Sequence, residues 1–228
     1  MLFGFGPQIA DGLLVTLELA LASLAVAFAL GLLTASARLS KLRWLSRLAL
    51  GYTTVIRGVP DLVTMLLLFY GIQMGLNRLT EAWGLSQLTI DPFAAGVLTL
   101  GFIYGAYFAE TFRGAFIAVP RGSLEAAQAF GMNRRQVFAR ILFPQMMRFA
   151  LPGVGNNWQV LLKSTALVSI IGLNDLVRIA NQAGKSSNQF FFFITLTGVV
   201  YLLVTTLSNG VLLWLEKRYA TGMKAADL

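Results

Sequence analysis

Chemistry on this chain has to be done without two of the usual side chains, because its 228 residues include no Cys and no His. Thiol nucleophiles, disulfides, His-based metal sites and His-dependent triads are therefore excluded. No GxxxxGK(S/T) phosphate loop occurs, so the chain does not bind ATP in the usual way and its energy source lies on another subunit. Catalysis, cofactors and metals are not expected on it. What remains are polar residues in two settings. Asn156, Asn157, Gln159, Lys163 and Ser164 interrupt an otherwise apolar run. At about 100° per residue, Asn156, Gln159 and Lys163 fall together on a helix, with Asn157 and Ser164 adjoining. Polar groups at such depth are costly and face a cavity or a partner. This arc reads either as a hydrogen-bonded seam between helices or as the lining of a substrate path.

The second setting is Arg121-Gly122-Ser123-Leu124-Glu125-Ala126-Ala127-Gln128-Ala129-Phe130-Gly131-Met132-Asn133-Arg134-Arg135-Gln136, closing at Ile141-Leu142-Phe143-Pro144. It predicts two short helices joined at Gly131, a position that suits a left-handed residue. Ser123 is expected to cap the first, with Glu125 in its first turn. Asn133 and Gln136 are spaced for a capping box on the second. Ala126 and Ala127 are small enough to let another surface approach. Arg134 and Arg135 oppose the dipole of their own helix, so they answer to something outside it, lipid phosphate or an acidic protein.

The elements that carry these residues are apolar. The chain is 57% hydrophobic and 12% charged, with mean hydropathy +0.70, where soluble domains run near a quarter charged. Several apolar runs approach or exceed the ~20 residues that cross a bilayer, and five spans are read: Gly12 to Ala37, Leu62 to Gly75, Phe93 to Ala118, Leu151 to Ile171 and Phe190 to Trp214. The first lacks a basic start and a cleavage site, so it is expected to be retained. Net charge is +8, but the basic residues gather between the runs as inward-facing loops do, which argues against nucleic acid. Arg38, Lys41, Arg43 and Arg47 follow the first run, and Glu216-Lys217-Arg218 and Lys224 follow the last. The expected topology is N-terminus periplasmic and C-terminus cytoplasmic, with Arg178 and Lys185 as exceptions outside. Leu39 to Leu50 is expected to lie at the membrane surface. Gly58 and Pro60 break the helix before the second span, and Asn77 to Pro92 and Asn174 to Asn188 are expected as external loops. Gly101 and Gly105 have the spacing of close helix packing. Glu110 and Arg113, one turn apart, are expected to neutralise each other.

Glu125-Ala126-Ala127, Gly131, Ile141 and Pro144, set between two spans, resemble the cytoplasmic loop of ATP-binding-cassette (ABC) importer permeases; Phe143 stands where that family usually has Leu. Arg57-Gly58-Val59-Pro60 resembles a stretch of polar amino acid permeases. Tyr52 to Leu62, Gly101 to Tyr107 and Gly155 to Val160 are similar to the Q-type membrane subunits of histidine and lysine-arginine-ornithine importers, with octopine and nopaline permeases as near relatives. The resemblance covers essentially the whole chain. It implies an all-α membrane protein of the ABC type I importer permease fold, one transmembrane domain over 1–228 with a coupling loop at 119–148. It also implies a multi-pass subunit of the bacterial inner membrane that pairs with an M-type permease, an ABC ATPase dimer carrying ATP and Mg, and a periplasmic substrate-binding protein. The cargo it implies is a basic amino acid (histidine, arginine, lysine, ornithine), with opines or another polar amino acid as the alternative. A secondary transporter would show internal repeats and more spans, and a membrane scaffold would not need the hairpin together with the arc. Lys163 then has two readings. An unpaired ammonium in hydrocarbon costs at least ~2.5 kcal/mol, so it is held by an acidic neighbour such as Glu18 or Asp61, or it attracts the cargo carboxylate.

The topology is tested by cysteine labelling. A cysteine at Ser86 is expected to react with an impermeant reagent on intact cells and one at Ser123 is not; the reverse pattern overturns the assignment.

Overall fold

The computed structural model describes residues 2–219, and these contain helices and no strand. Lys224, expected at the cytoplasmic terminus, lies outside the described residues. Each apolar run becomes a helix, most of them longer than expected. α1 is Gly6–Arg38; it starts ahead of Gly12 because Pro7 sits in its first turn, where a missing N–H is harmless. α2, Arg43–Gly58, is longer than the expected surface segment and packs against its neighbours as well. It stops where Val59, preceding Pro60, is forced into an extended conformation (φ −107, ψ 140). α3, Asp61–Ala82, follows at once. It takes in Asn77, Arg78 and Glu81, which were expected in a loop, because Gln73 pins the following segment against it. The Gln73 amide donates to the Leu88 carbonyl at 2.6 Å and accepts from the Ile90 N–H at 2.9 Å.

α4, Pro92–Ala118, matches the expected third span and is capped by Asp91, which accepts from the Ala94 N–H at 2.8 Å. α5 (Arg121–Ala129) and α6 (Arg134–Gln136) form the hairpin. A π-helical stretch, Val137–Leu142, then runs into α7, Phe143–Ser164, and a 3₁₀ continuation, Thr165–Ile171. The fourth span thus begins well before Leu151. Pro144, which has no N–H for a regular ladder, is tolerated directly after the wider π turn. The expected external loop 174–188 instead holds α8, Leu176–Ser187, capped by the buried Asp175 carboxylate and bent by 56° from the preceding helix. Its stripe of Leu176, Ala180, Ala183 and Gly184 is buried, which is why it folds back rather than staying open. α9 is Phe190–Tyr219.

Residue contacts set the sense of each span. Val26 meets Gly101 and Leu30 meets Gly105, so α1 and α4 run parallel. Asn157 meets Thr111 while Ser164 meets Tyr104, so α7 is antiparallel to α4. Gln159 meets Asn209 and Thr165 meets Tyr201, so α9 is antiparallel to α7. Asp61 at Tyr104 and Gln73 at Ile90 make α3 antiparallel to α4 as well. The five spans alternate, and the hairpin lies at the same end of the bundle as Arg38 and Arg218.

The most extensive helix pairing is α1 with α4. A Cβ at Gly31 would lie 2.5 Å from the Phe108 Cβ and 3.2 Å from α4 backbone, and one at Gly101 would lie 2.5 Å from Val26. In lipid, van der Waals contact of this kind replaces the hydrophobic drive between helices. Gly31→Ala is therefore expected to destabilise the protein by about 1–3 kcal/mol through overpacking, read as a lower melting temperature in detergent. Gly51→Ala, whose added Cβ meets nothing within 4 Å, is the control and is expected not to lower it.

Candidate functional site

The α2–α3 break sets Asp61 at the first position of α3, against the middle of α4. Its Oδ2 accepts from the Tyr104 hydroxyl at 2.8 Å and its Oδ1 from the Tyr107 hydroxyl at 3.4 Å. The two rings stack with centroids 5.5 Å apart, because residues three apart share a helix face. Tyr104 gives its one proton to Asp61, so Ser164 donates to the Tyr104 oxygen at 2.6 Å. No cation of the described residues pairs with Asp61 within 4.0 Å. The Arg57 guanidinium sits over the Tyr107 ring, 5.5 Å from its centroid. Arg57 also lines a cavity of about 410 Å³ with Arg38, Thr53, Thr54 and Glu110. There Glu110 meets Arg113 at 2.8 Å, as its spacing predicts, and Arg38 at 3.6 Å, which only tertiary structure reveals.

The five polar residues of α7 do not form one arc. Asn157 and Ser164, two turns apart, face α4, where Asn157 donates to the Thr111 hydroxyl at 3.0 Å. Gln159 turns to α9 and donates to Asn209 at 3.0 Å. Asn156 and Lys163 are exposed on this chain. Asn157 and Ser164 lie roughly a quarter turn or more from Gln159 and from Asn156 and Lys163, enough for different surroundings to claim them. Lys163 forms no ion pair with Glu18 or Asp61; the tyrosines hold Asp61 instead, and Lys163 is exposed. Tyr104 and Tyr107 were not singled out from the sequence, although two tyrosines one turn apart in an apolar span are a readable signal.

The hairpin is built as expected at its turn and differently at its start. Gly131 has φ 80. The Met132 N–H donates to the Ala127 carbonyl at 3.1 Å and the Gly131 N–H to the Gln128 carbonyl at 2.9 Å, the Schellman pattern. Asn133 and Gln136 form the reciprocal capping box, both bonds at 3.0 Å. Ser123 is not a cap: α5 starts at Arg121 after Pro120, and the Ser123 hydroxyl donates back to the Pro120 carbonyl at 2.7 Å. Glu125 consequently lies beyond the first turn. Ala127 packs inward, while Glu125, Ala126 and Pro144 are exposed and Phe130 is 87% exposed. The apolar Phe130 at the tip and exposed Arg134 and Arg135 beside it make a surface suited to a protein partner. Among the described residues no group of acidic side chains could hold a metal ion.

Known proteins share this arrangement. Residues 27–221 match the family model described as binding-protein-dependent transport system inner membrane component. The chain is 61% identical to the histidine/lysine/arginine/ornithine transport system permease protein HisQ of Escherichia coli, over 100% of both chains. It is 37% identical to the octopine transport system permease protein OccQ of Rhizobium radiobacter, over 98% of this chain and 97% of that one. A crystal structure of an amino acid ABC transporter with histidines superposes with TM-score 0.79 at 31% identity, covering 94% of this chain and 95% of the other. With its alternating helical spans, the chain is a multi-pass inner-membrane protein that is not itself an enzyme, and it belongs to the family of binding-protein-dependent transport system inner membrane components, the permease subunits of ABC importers.

Proposed function

We propose that the chain is the membrane-spanning subunit of an ATP-driven importer of basic amino acids (histidine, arginine, lysine or ornithine). The observation that carries the cargo class is Asp61, a mid-span carboxylate held by two phenols and by no cation. A cationic side chain or ammonium of the cargo supplies the missing charge, since ionised groups at membrane depth are normally paired. The identity to a histidine/lysine/arginine/ornithine permease supports the same class. Asn156, Lys163 and Ser164 border the route. Lys163, with no acidic partner among the described residues, is placed to attract the cargo carboxylate or an acidic group of a second permease. Asn157 and Gln159 hold α7 to its neighbours and act through its position. Gly58 and Pro60 matter because the break they make points Asp61 inward.

The hairpin, within 119–148, docks a separate ABC ATPase that carries ATP and Mg. Glu125, Ala126 and Phe130 contact its groove, Ala127 and Gly131 fix their geometry, and Pro144 joins the hairpin rigidly to α7. A related M-type permease completes the pathway, a periplasmic binding protein delivers the cargo, and the N-terminus is periplasmic, since basic residues crowd the hairpin end. Closure of the ATPases shifts the population between outward- and inward-facing states.

Two measurements test this reading. Asp61→Asn in the complete transporter is expected to raise the apparent KM for arginine roughly 10- to 100-fold, the loss of a charged hydrogen-bond partner; unchanged uptake rejects the cargo site. Gly131→Val forces a β-branched residue to positive φ and is expected to uncouple ATP hydrolysis from uptake or to release the ATPase. Wild-type uptake and ATPase stimulation in that variant would reject the docking role.

A further inference from the structure

Arg57 and Asp61 stand on either side of the α2–α3 break and meet at one ring. The guanidinium lies over Tyr107 at 5.5 Å, and the Tyr107 hydroxyl donates to Asp61 at 3.4 Å. Arg57 is exposed to the 410 Å³ cavity at the hairpin side of the carboxylate and forms no ion pair within 4.0 Å among the described residues. The other carboxylate lining that cavity, Glu110, already lies between Arg113 and Arg38. Gly58, next to Arg57, has nothing within 4 Å of a would-be Cβ, so open space surrounds the joint. A guanidinium is also the chemical class of one expected cargo.

We infer that Arg57 is a tethered competitor of the cargo: its guanidinium takes the Asp61 carboxylate as the cargo's cationic group leaves. The inference rests on the proposed role of Asp61 as the cargo's counter-charge. Two phenol hydrogen bonds orient that carboxylate but do not neutralise it, and an uncompensated charge at mid-span is costly. A cation held a ring's width away acts at the high effective concentration of a tethered group. The cavity that Arg57 lines, on the hairpin side of the carboxylate, gives the released cargo open space to move into. Arg57 is thus a residue of release, and its loss strengthens retention rather than weakening binding.

The test uses the complete transporter in proteoliposomes, with arginine as the probe. Arg57→Gln is expected to lower KM and turnover together by about fivefold, the size of one screened charge interaction, while Arg57→Lys stays close to wild type. Wild-type KM and turnover in Arg57→Gln overturn the inference. A raised KM also overturns it, because Arg57 would then be binding the cargo carboxylate. Failure of Arg57→Gln alone to assemble would mark a structural role and overturn it likewise. If Asp61→Asn abolishes high-affinity uptake while Arg57→Gln is silent, only the tethered cation fails. If Asp61→Asn is silent, the cargo site fails with it.

Discussion

The glycine contact between α1 and α4 is the constraint on which the rest of the structure depends. Gly31 leaves room for the Phe108 side chain and for α4 backbone, and Gly101 and Gly105 leave room for Val26 and Leu30. Two parallel helices in lipid gain little from apolar burial, because the lipid is as apolar as they are. They gain from dispersion at close range, which falls off steeply once a gap opens. That contact fixes the rotation of α4 about its axis. With α1 on one side, the opposite faces of α4 are left for the tyrosines, for Thr111 and for α7. A rotation of α4 by one residue would take Tyr104 away from both Asp61 and Ser164.

Charge inside the bundle follows a consistent logic of graded compensation. Glu110 is fully answered by two guanidiniums. Asp61 is answered by dipoles alone. Lys163 and Arg57 are exposed cations without an ion pair among the described residues. The first arrangement is that of a structural ion pair, since paired charges in a membrane protein hold helices together. The second leaves the charge of the carboxylate unneutralised by any side chain of the described residues, which is the basis of the cargo site proposed above. The Asp175 carboxylate is buried and accepts from the Val177 and Arg178 N–H groups; it caps α8, which packs against α1 and α9.

The hairpin combines local rigidity with outward exposure. Its turn satisfies its own backbone groups through the Schellman bonds and the capping box, so it needs little support from the spans. Phe130, Arg134 and Arg135 are then free to face outward. The helical path is continuous from α6 through the π turn into α7, the helix that carries Ser164 and Lys163.

The sequence by itself determined the membrane class, the five spans and the break at Gly58 and Pro60. These depend on composition, run length and backbone sterics, all of which are local. It also determined the positive φ of Gly131, the Asn133–Gln136 box and the Glu110–Arg113 pair, because their partners lie within a few residues. It misjudged Ser123, whose hydroxyl had a competing carbonyl one turn back, and it left α8 unread among the polar residues of 174–188. Only tertiary structure separated the polar residues of α7 into three surroundings, since a helical wheel gives angles but not which helix stands at each angle. Only tertiary structure brought Asp61 to Tyr104 and Arg57 to Tyr107. Those meetings depend on the rotation of α4, and that rotation is set by where the glycines of α1 and α4 touch.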